Sequence, residues 1–190
     1  EYLSQHNLLF HIKKNRLSLV NKIDICLDIL KGVEYLHSRE PQSIIHRDLK
    51  PQNIILSASK SAKIADFGLS KLLKDKNTKD NLSLSETNMP INISNEDLTK
   101  IVGTKRYMSP ELSKQLKYNQ KIDIWSVGII FSELFESKRY NTDFYWKKTP
   151  VKIQNIINQY MLREDPENRL SAREIVVLFE QTKKSYQKKN

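Results

Sequence analysis

The stretch His46-Arg-Asp-Leu-Lys-Pro-Gln-Asn53 gathers an imidazole, a guanidinium, a carboxylate, an ammonium and a carboxamide within eight residues. Ile44-Ile45 leads into it. Asn53–Leu56 and Ala62–Ile64 read as two short strands around the polar turn Ser57–Ser61. Asp66-Phe-Gly68 follows thirteen residues after Asn53. Taken alone, Asp48 or Asp66 reads as a solvated loop acid. The order of strings around them argues otherwise.

Working outward, the chain turns helical on both sides. Val20, Ile23, Leu27, Leu30 and Val33 recur at helical spacing between Leu17 and His37 and predict a long, mostly buried helix. Ile122–Phe135 predicts a second helix, apolar nearly all round, and Val151–Leu162 an amphipathic third. Ser171, with Glu174 three residues on, is a capping box opening a last helix over Ala172–Gln181. The basic residues of 183–190 read as a fraying tail. Between Lys74 and Lys100 the sequence is rich in Asn, Asp, Lys, Ser and Thr and has no period, which predicts a mobile loop.

Three further strings complete the order: Gly103-Thr-Lys-Arg-Tyr-Met-Ser-Pro-Glu111, Asp123-Ile-Trp-Ser-Val-Gly128, and Arg169 within Asp-Pro-Glu-Asn-Arg-Leu. With His46–Asn53 and Asp66–Gly68 they resemble, in sequence order, the motifs of the eukaryotic-type serine/threonine protein kinases. The resemblance covers nearly the whole chain. It implies a mainly α, protein-kinase-like C-terminal lobe with a few short β-strands around the catalytic loop, spanning residues 1–182. The hinge would lie at about 1–7 and the activation segment at 66–111, with its polar insert at 74–100. The N-terminal β lobe would be missing.

The resemblance also implies roles. Phosphoryl transfer depends on positioning and charge neutralisation more than on covalent chemistry. Asp48 would accept or orient the proton of the substrate hydroxyl. Lys50 would steady the transferred phosphate, and Thr104 would bridge the two. Asn53 and Asp66 would hold Mg²⁺ against the phosphates of ATP, since oxygen ligands suit hard cations. Ile55 would floor the adenine site, and Leu3 would offer it backbone groups. Gly68 would let the chain turn after the metal ligand. His46 and Phe67 would pack together in the core beneath the site. Glu111 and Arg169 would form a buried ion pair, and Asp123 would hydrogen-bond the catalytic-loop backbone. Lys50 in Asp-Leu-Lys-Pro-Gln-Asn points to serine or threonine as acceptor.

Arg47, directly before Asp48, implies control by a phosphate in the activation segment, with Thr99 as candidate acceptor. Val102–Glu111 and Lys121–Phe135 are similar to the kinases of the translation initiation factor 2 α subunit, which would then be the protein substrate. Tyr35-Leu-His-Ser-Arg-Glu-Pro-Gln-Ser-Ile-Ile-His46 instead resembles the tyrosine-kinase-like serine/threonine kinases.

The bulk properties restrict other classes. The net charge of +10 is spread along the chain, with small clusters at His11–Arg16 and Lys183–Lys189, and sequence alone shows no basic stripe interleaved with aromatics. Nucleic-acid binding therefore ranks last. A single cysteine, Cys26, excludes an intrachain disulfide and suits a reducing, cytoplasmic setting. The longest apolar stretch, Ile124–Phe135, is short of the roughly 20 residues that a bilayer requires. No Gly-rich loop or strand lysine precedes Glu1, so the chain is expected to be part of a longer kinase and weak in catalysis by itself. The alternative is a pseudokinase or docking module.

Overall fold

The computed structural model describes residues 6–74, 105–136 and 146–187. The expectations for Leu3, Thr99, Thr104 and most of the polar insert lie outside the described residues. So do Gly103 and the hinge residues before His6.

Helix α1 (Leu8–Lys14) opens under Asn7, whose side chain accepts from the Phe10 N–H at 3.2 Å. Sequence reading did not anticipate this helix, because seven residues carry too little period to register. Helix α2 (Leu19–His37) starts under Ser18, whose hydroxyl accepts from Asn21 N–H at 3.2 Å. Its buried set includes Lys22, Ile25, Cys26 and Ile29 as well as Ile23, Leu27, Leu30 and Val33 of the expected stripe, whose first member Val20 is half-buried, so partners cover it on more than one side.

Strand β1 (Gln42–Ile45) pairs antiparallel with β4 (Lys71–Lys74), with Ile45 opposite Lys71. Strands β2 (Ile54–Leu56) and β3 (Ala62–Ile64) form the expected hairpin, with Ile54 opposite Ile64. Neither β1 nor β4 was anticipated, as the two meet across 25 residues and neither alternates clearly. A cis peptide joins Glu40 to Pro41.

A short helix α3 (Pro110–Ser113) precedes α4 (Lys121–Glu136), in which all residues but Lys121 and Trp125 are buried. Around α4 pack α2, α5 (Val151–Tyr160) and α6 (Ala172–Gln187). Gly128 is what lets the chain after α5 approach so closely. A Cβ there would lie 2.8 Å from Leu162 Cδ2 and 3.1 Å from Met161 Cβ. The mid-helix entropy penalty of glycine is offset by that contact.

The capping box forms as written: Glu174 Oε2 accepts from Ser171 N–H at 2.8 Å, and Ser171 Oγ from Glu174 N–H at 3.3 Å. Helix α6 does not stop at Gln181, however, and 183–187 is not a frayed tail. Lys183 pairs with Asp24 of α2 at 2.6 Å, Thr182 is fully buried, and Tyr186 packs against the core. Tertiary contacts extend the helix past the point where its apolar period fades.

Candidate active site

The polar loop between β1 and β2 is held from below by one buried carboxylate. Asp123, 1% exposed at the start of α4, accepts from His46 N–H at 2.9 Å and from Arg47 N–H at 3.0 Å. His37, at the end of α2, brings Nε2 to 2.9 Å from the same carboxylate. Three elements thus converge on one anion. Arg47 sits at φ 68°, a left-handed conformation that an arginine adopts only against a steric penalty. The Asp123 bonds hold it there. Sequence reading singled out Asp123 but not His37, which appeared only within a subfamily string.

His46 is fully buried and accepts at Nδ1 from Asp48 N–H, 3.3 Å away. Its Nε2 must then carry the proton, donated to the Ala65 carbonyl at 3.1 Å. Ala65 N–H in turn donates to Asn53 O at 2.8 Å, so the end of β3 and the loop lock together.

Asp48 is 6% exposed. Its Oδ2 accepts from Lys50 Nζ at 2.6 Å and from Asn53 Nδ2 at 3.0 Å. Asn53 Nδ2 also donates to the Asp48 carbonyl at 2.9 Å. The other carboxylate oxygen, Oδ1, is buried and has no hydrogen-bond partner among the described residues. The carboxylate is therefore oriented on one side and open on the other. An oxygen in that state is a strong acceptor in search of a donor.

Asp66 is exposed, at φ 64°, with Gly68 N–H donating to its Oδ1 at 3.3 Å. Gly68 itself has no positive φ, so the left-handed turn falls on the aspartate and the expected freedom of the glycine is not used. The rings of His46 and Phe67 meet at 5.0 Å. Phe67 is nevertheless 48% exposed, which corrects the expectation that it lies in the core. Phe67 lies in the Asp66–Ser70 turn, closed by Ser70 N–H on the Phe67 carbonyl, where residues 66–68 are all exposed. Ile55 is half-buried on β2, paired with Lys63 and bridged to Asn7.

Arg47 donates from Nε to the Leu69 carbonyl and lies 3.4 Å from the Tyr118 hydroxyl. It thereby ties the loop to the chain after Gly68. Arg169 is buried and uses all five guanidinium protons. It meets Glu111 at 2.7 and 2.8 Å and the carbonyls of Arg163, Lys121 and Glu164 at 2.8, 3.1 and 3.1 Å. It also lies over the Trp125 ring at 5.1 Å. A second buried anchor was not foreseen. Glu133 of α4, with no exposure, takes the Tyr107 hydroxyl at 2.9 Å and the Arg106 guanidinium at 2.7 Å. The pattern of α4 reads as apolar, and a lone acid within it carries no sequence signal of its partner.

The family model for the protein kinase domain matches residues 1–159. The chain belongs to the protein kinase domain family. Among the relatives of this kinase chain is the serine/threonine-protein kinase VIK of Arabidopsis thaliana, 38% identical over 73% of the chain and 29% of that protein. The serine/threonine-protein kinase shk2 of Schizosaccharomyces pombe is 34% identical over 83% of the chain and 22% of that protein. The serine/threonine/tyrosine-protein kinase HT1 of Arabidopsis thaliana is 37% identical over 70% and 30% respectively. The kinase chain therefore spans less than a third of the length of these relatives. No helix among its described residues is long and apolar enough to cross a membrane.

Proposed function

We propose that this kinase chain is the catalytic half of an enzyme that transfers the terminal phosphoryl group of ATP to serine or threonine of a protein. The observation that carries the reading is Asp48. Its Oδ2 is clamped by Lys50 and Asn53, and its buried Oδ1 lacks a partner. A substrate hydroxyl donating to Oδ1 would satisfy that oxygen and be aligned for attack. Lys50, already on the carboxylate, would stabilise the charge of a transferring phosphoryl group.

A metal fits the donors present. Asn53 gives both its N–H bonds to Asp48, and its carboxamide oxygen takes no hydrogen bond among the described residues. Asp66 is exposed and keeps acceptor capacity beyond its bond from Gly68. Two hard oxygens suit Mg²⁺, which keeps several waters and completes its shell with phosphate oxygens. When bound, Mg²⁺ would neutralise phosphate charge, and Asn53 and Asp66 are the residues that would hold it. Leu3 at the adenine edge, Ile55 as the floor beneath adenine, Thr104 as the bridge between Asp48 and Lys50, and Thr99 as the phosphate acceptor belong to the same reading.

The test is ATP-dependent transfer to a generic Ser/Thr substrate by the full open reading frame, with Asp48→Asn beside it. Loss of transfer in the variant supports the assignment. Transfer by neither protein, both folded, supports the pseudokinase or docking module instead. The finer reading, initiation factor 2 α as substrate, rests on Val102–Glu111 and Lys121–Phe135. Purified factor offered to the same preparation tests it.

A further inference from the structure

A cationic face is built by the end of α1 and the β2–β3 turn, and none of its five cations belongs to the Asp48 cluster. No Asp or Glu occurs from residue 6 to 23, nor from 49 to 65. Lys13, Lys14 and Arg16 are exposed at the end of α1, and Lys60 and Lys63 are exposed on the hairpin. The two elements are joined by the Asn7–Ile55 bridge and by Leu56 N–H on the His6 carbonyl at 3.4 Å. Of the acids on α2, Asp24 pairs with Lys183, and Asp28 accepts from the Ala62 N–H at the start of β3. Part of the charge at the end of α1 complements the helix dipole, but that accounts for one or two cations and not five.

The face is also preorganised. Lys60 is fixed at φ 65° by a turn in which Lys60 N–H donates to Ser57 O at 2.9 Å and Ser61 N–H to Ser57 Oγ at 3.1 Å. His6 stacks on Phe10 at 3.9 Å, His11 meets the Phe10 edge at 5.5 Å, and Lys14 sits 5.6 Å from the same ring. His11 Nε2 is shielded and has no hydrogen-bond partner among the described residues. Burial, and to a lesser degree the nearby His6 and Lys60, lowers the His11 pKa.

We propose that this face docks an acidic polypeptide segment, rich in Asp and Glu, outside the phosphoryl-transfer site. Charge complementarity selects the anion. The Phe10 ring selects a peptide over single-stranded nucleic acid, because His6, His11 and Lys14 already occupy its surroundings and a base would need an open aromatic face. The inference stands apart from the catalytic reading.

The experiment is fluorescence anisotropy of a labelled poly-glutamate peptide with the full-length protein. The expected result is saturable binding that weakens as salt rises. The triple variant Lys13→Glu/Lys14→Glu/Lys60→Glu should bind at least tenfold more weakly. Lys152→Glu/Arg173→Glu/Lys184→Glu, an equal charge change elsewhere on the surface, should lose less than threefold. Equal losses in the two variants, or no saturable binding by the unsubstituted protein, overturn the proposal. Tighter binding of single-stranded RNA, abolished by the same triple variant, overturns it in favour of nucleic acid. The His11 imidazole NMR signals of the unsubstituted protein give a readout independent of any variant's folding: they should shift on peptide addition, and their failure to do so also overturns it. Asp48→Asn should leave peptide binding unchanged, so this proposal and the catalytic one fail separately.

Discussion

Replacing Asp123 by Asn exchanges one acceptor oxygen for a donor without changing size. Oδ2 of Asp123 serves His46 N–H and His37 Nε2, and Oδ1 serves Arg47 N–H. The best carboxamide orientation keeps its oxygen on the first pair and turns its NH₂ onto Arg47 N–H. One charge-assisted bond, about 1.5–3 kcal/mol, is lost, and the Arg47 N–H left facing a donor costs about 1–3 kcal/mol more. The loop then relaxes and recovers roughly 1–2 kcal/mol of left-handed strain at Arg47. The net loss of stability is about 2 kcal/mol, or a fall in Tm of about 4–8 °C for a domain of this size. Activity should fall much further, because Asp48 is the next residue and a misplacement near 1 Å can reduce rate about 100-fold. Calorimetric melting and phosphate transfer by the full-length protein measure the two effects. Transfer within threefold of the unsubstituted protein would refute the claim that Asp123 holds the loop in its working shape.

Other substitutions probe the frame. Glu111→Gln leaves the Arg169 guanidinium buried without its anion, and should lower stability by about 3–5 kcal/mol in urea unfolding. Gly128→Ala forces a Cβ to 2.8 Å from Leu162 and should cost about 1–3 kcal/mol, with Leu162→Ala restoring part of it in a double-variant cycle. Glu136 offers a pH test. Burial pushes its carboxyl up, but the Thr149 hydroxyl at 2.5 Å and the N–H groups of Lys148, Lys147 and Thr149 outweigh this and hold its pKa below the ordinary 4.5. That contribution is present above the unfolded value and is lost as pH falls through the folded one. Glu136→Gln should therefore flatten the decline in stability below about pH 4.5, seen in melts across pH 3–6, and an unchanged slope would contradict the clasp.

The sequence showed helices where apolar residues repeat over three turns or more, as in α2, α4 and α5. It did not show α1, β1 or β4, whose short spans gain definition only from partners far along the chain. The strings around Asp48 and Asp66 were legible because phosphoryl chemistry demands certain groups at certain spacings. The Glu136 clasp on Lys147–Thr149, and the Glu133 anchor on Arg106 and Tyr107, were not. A buried acid is recognisable only once its donors are seen, and here they come from outside its own helix. The exposure of Phe67 was not legible either, because burial depends on what packs over the turn and not on the string Asp66-Phe-Gly68.

The shape of the His46–Asn53 loop depends on a residue 77 positions downstream of His46. At ribosomal rates of about 5–20 residues per second, α4 follows the loop by roughly 4–15 s. Until then the N–H groups of His46 and Arg47 lack the carboxylate that fixes them. The shape of this loop is therefore settled by chain synthesised well after the loop itself.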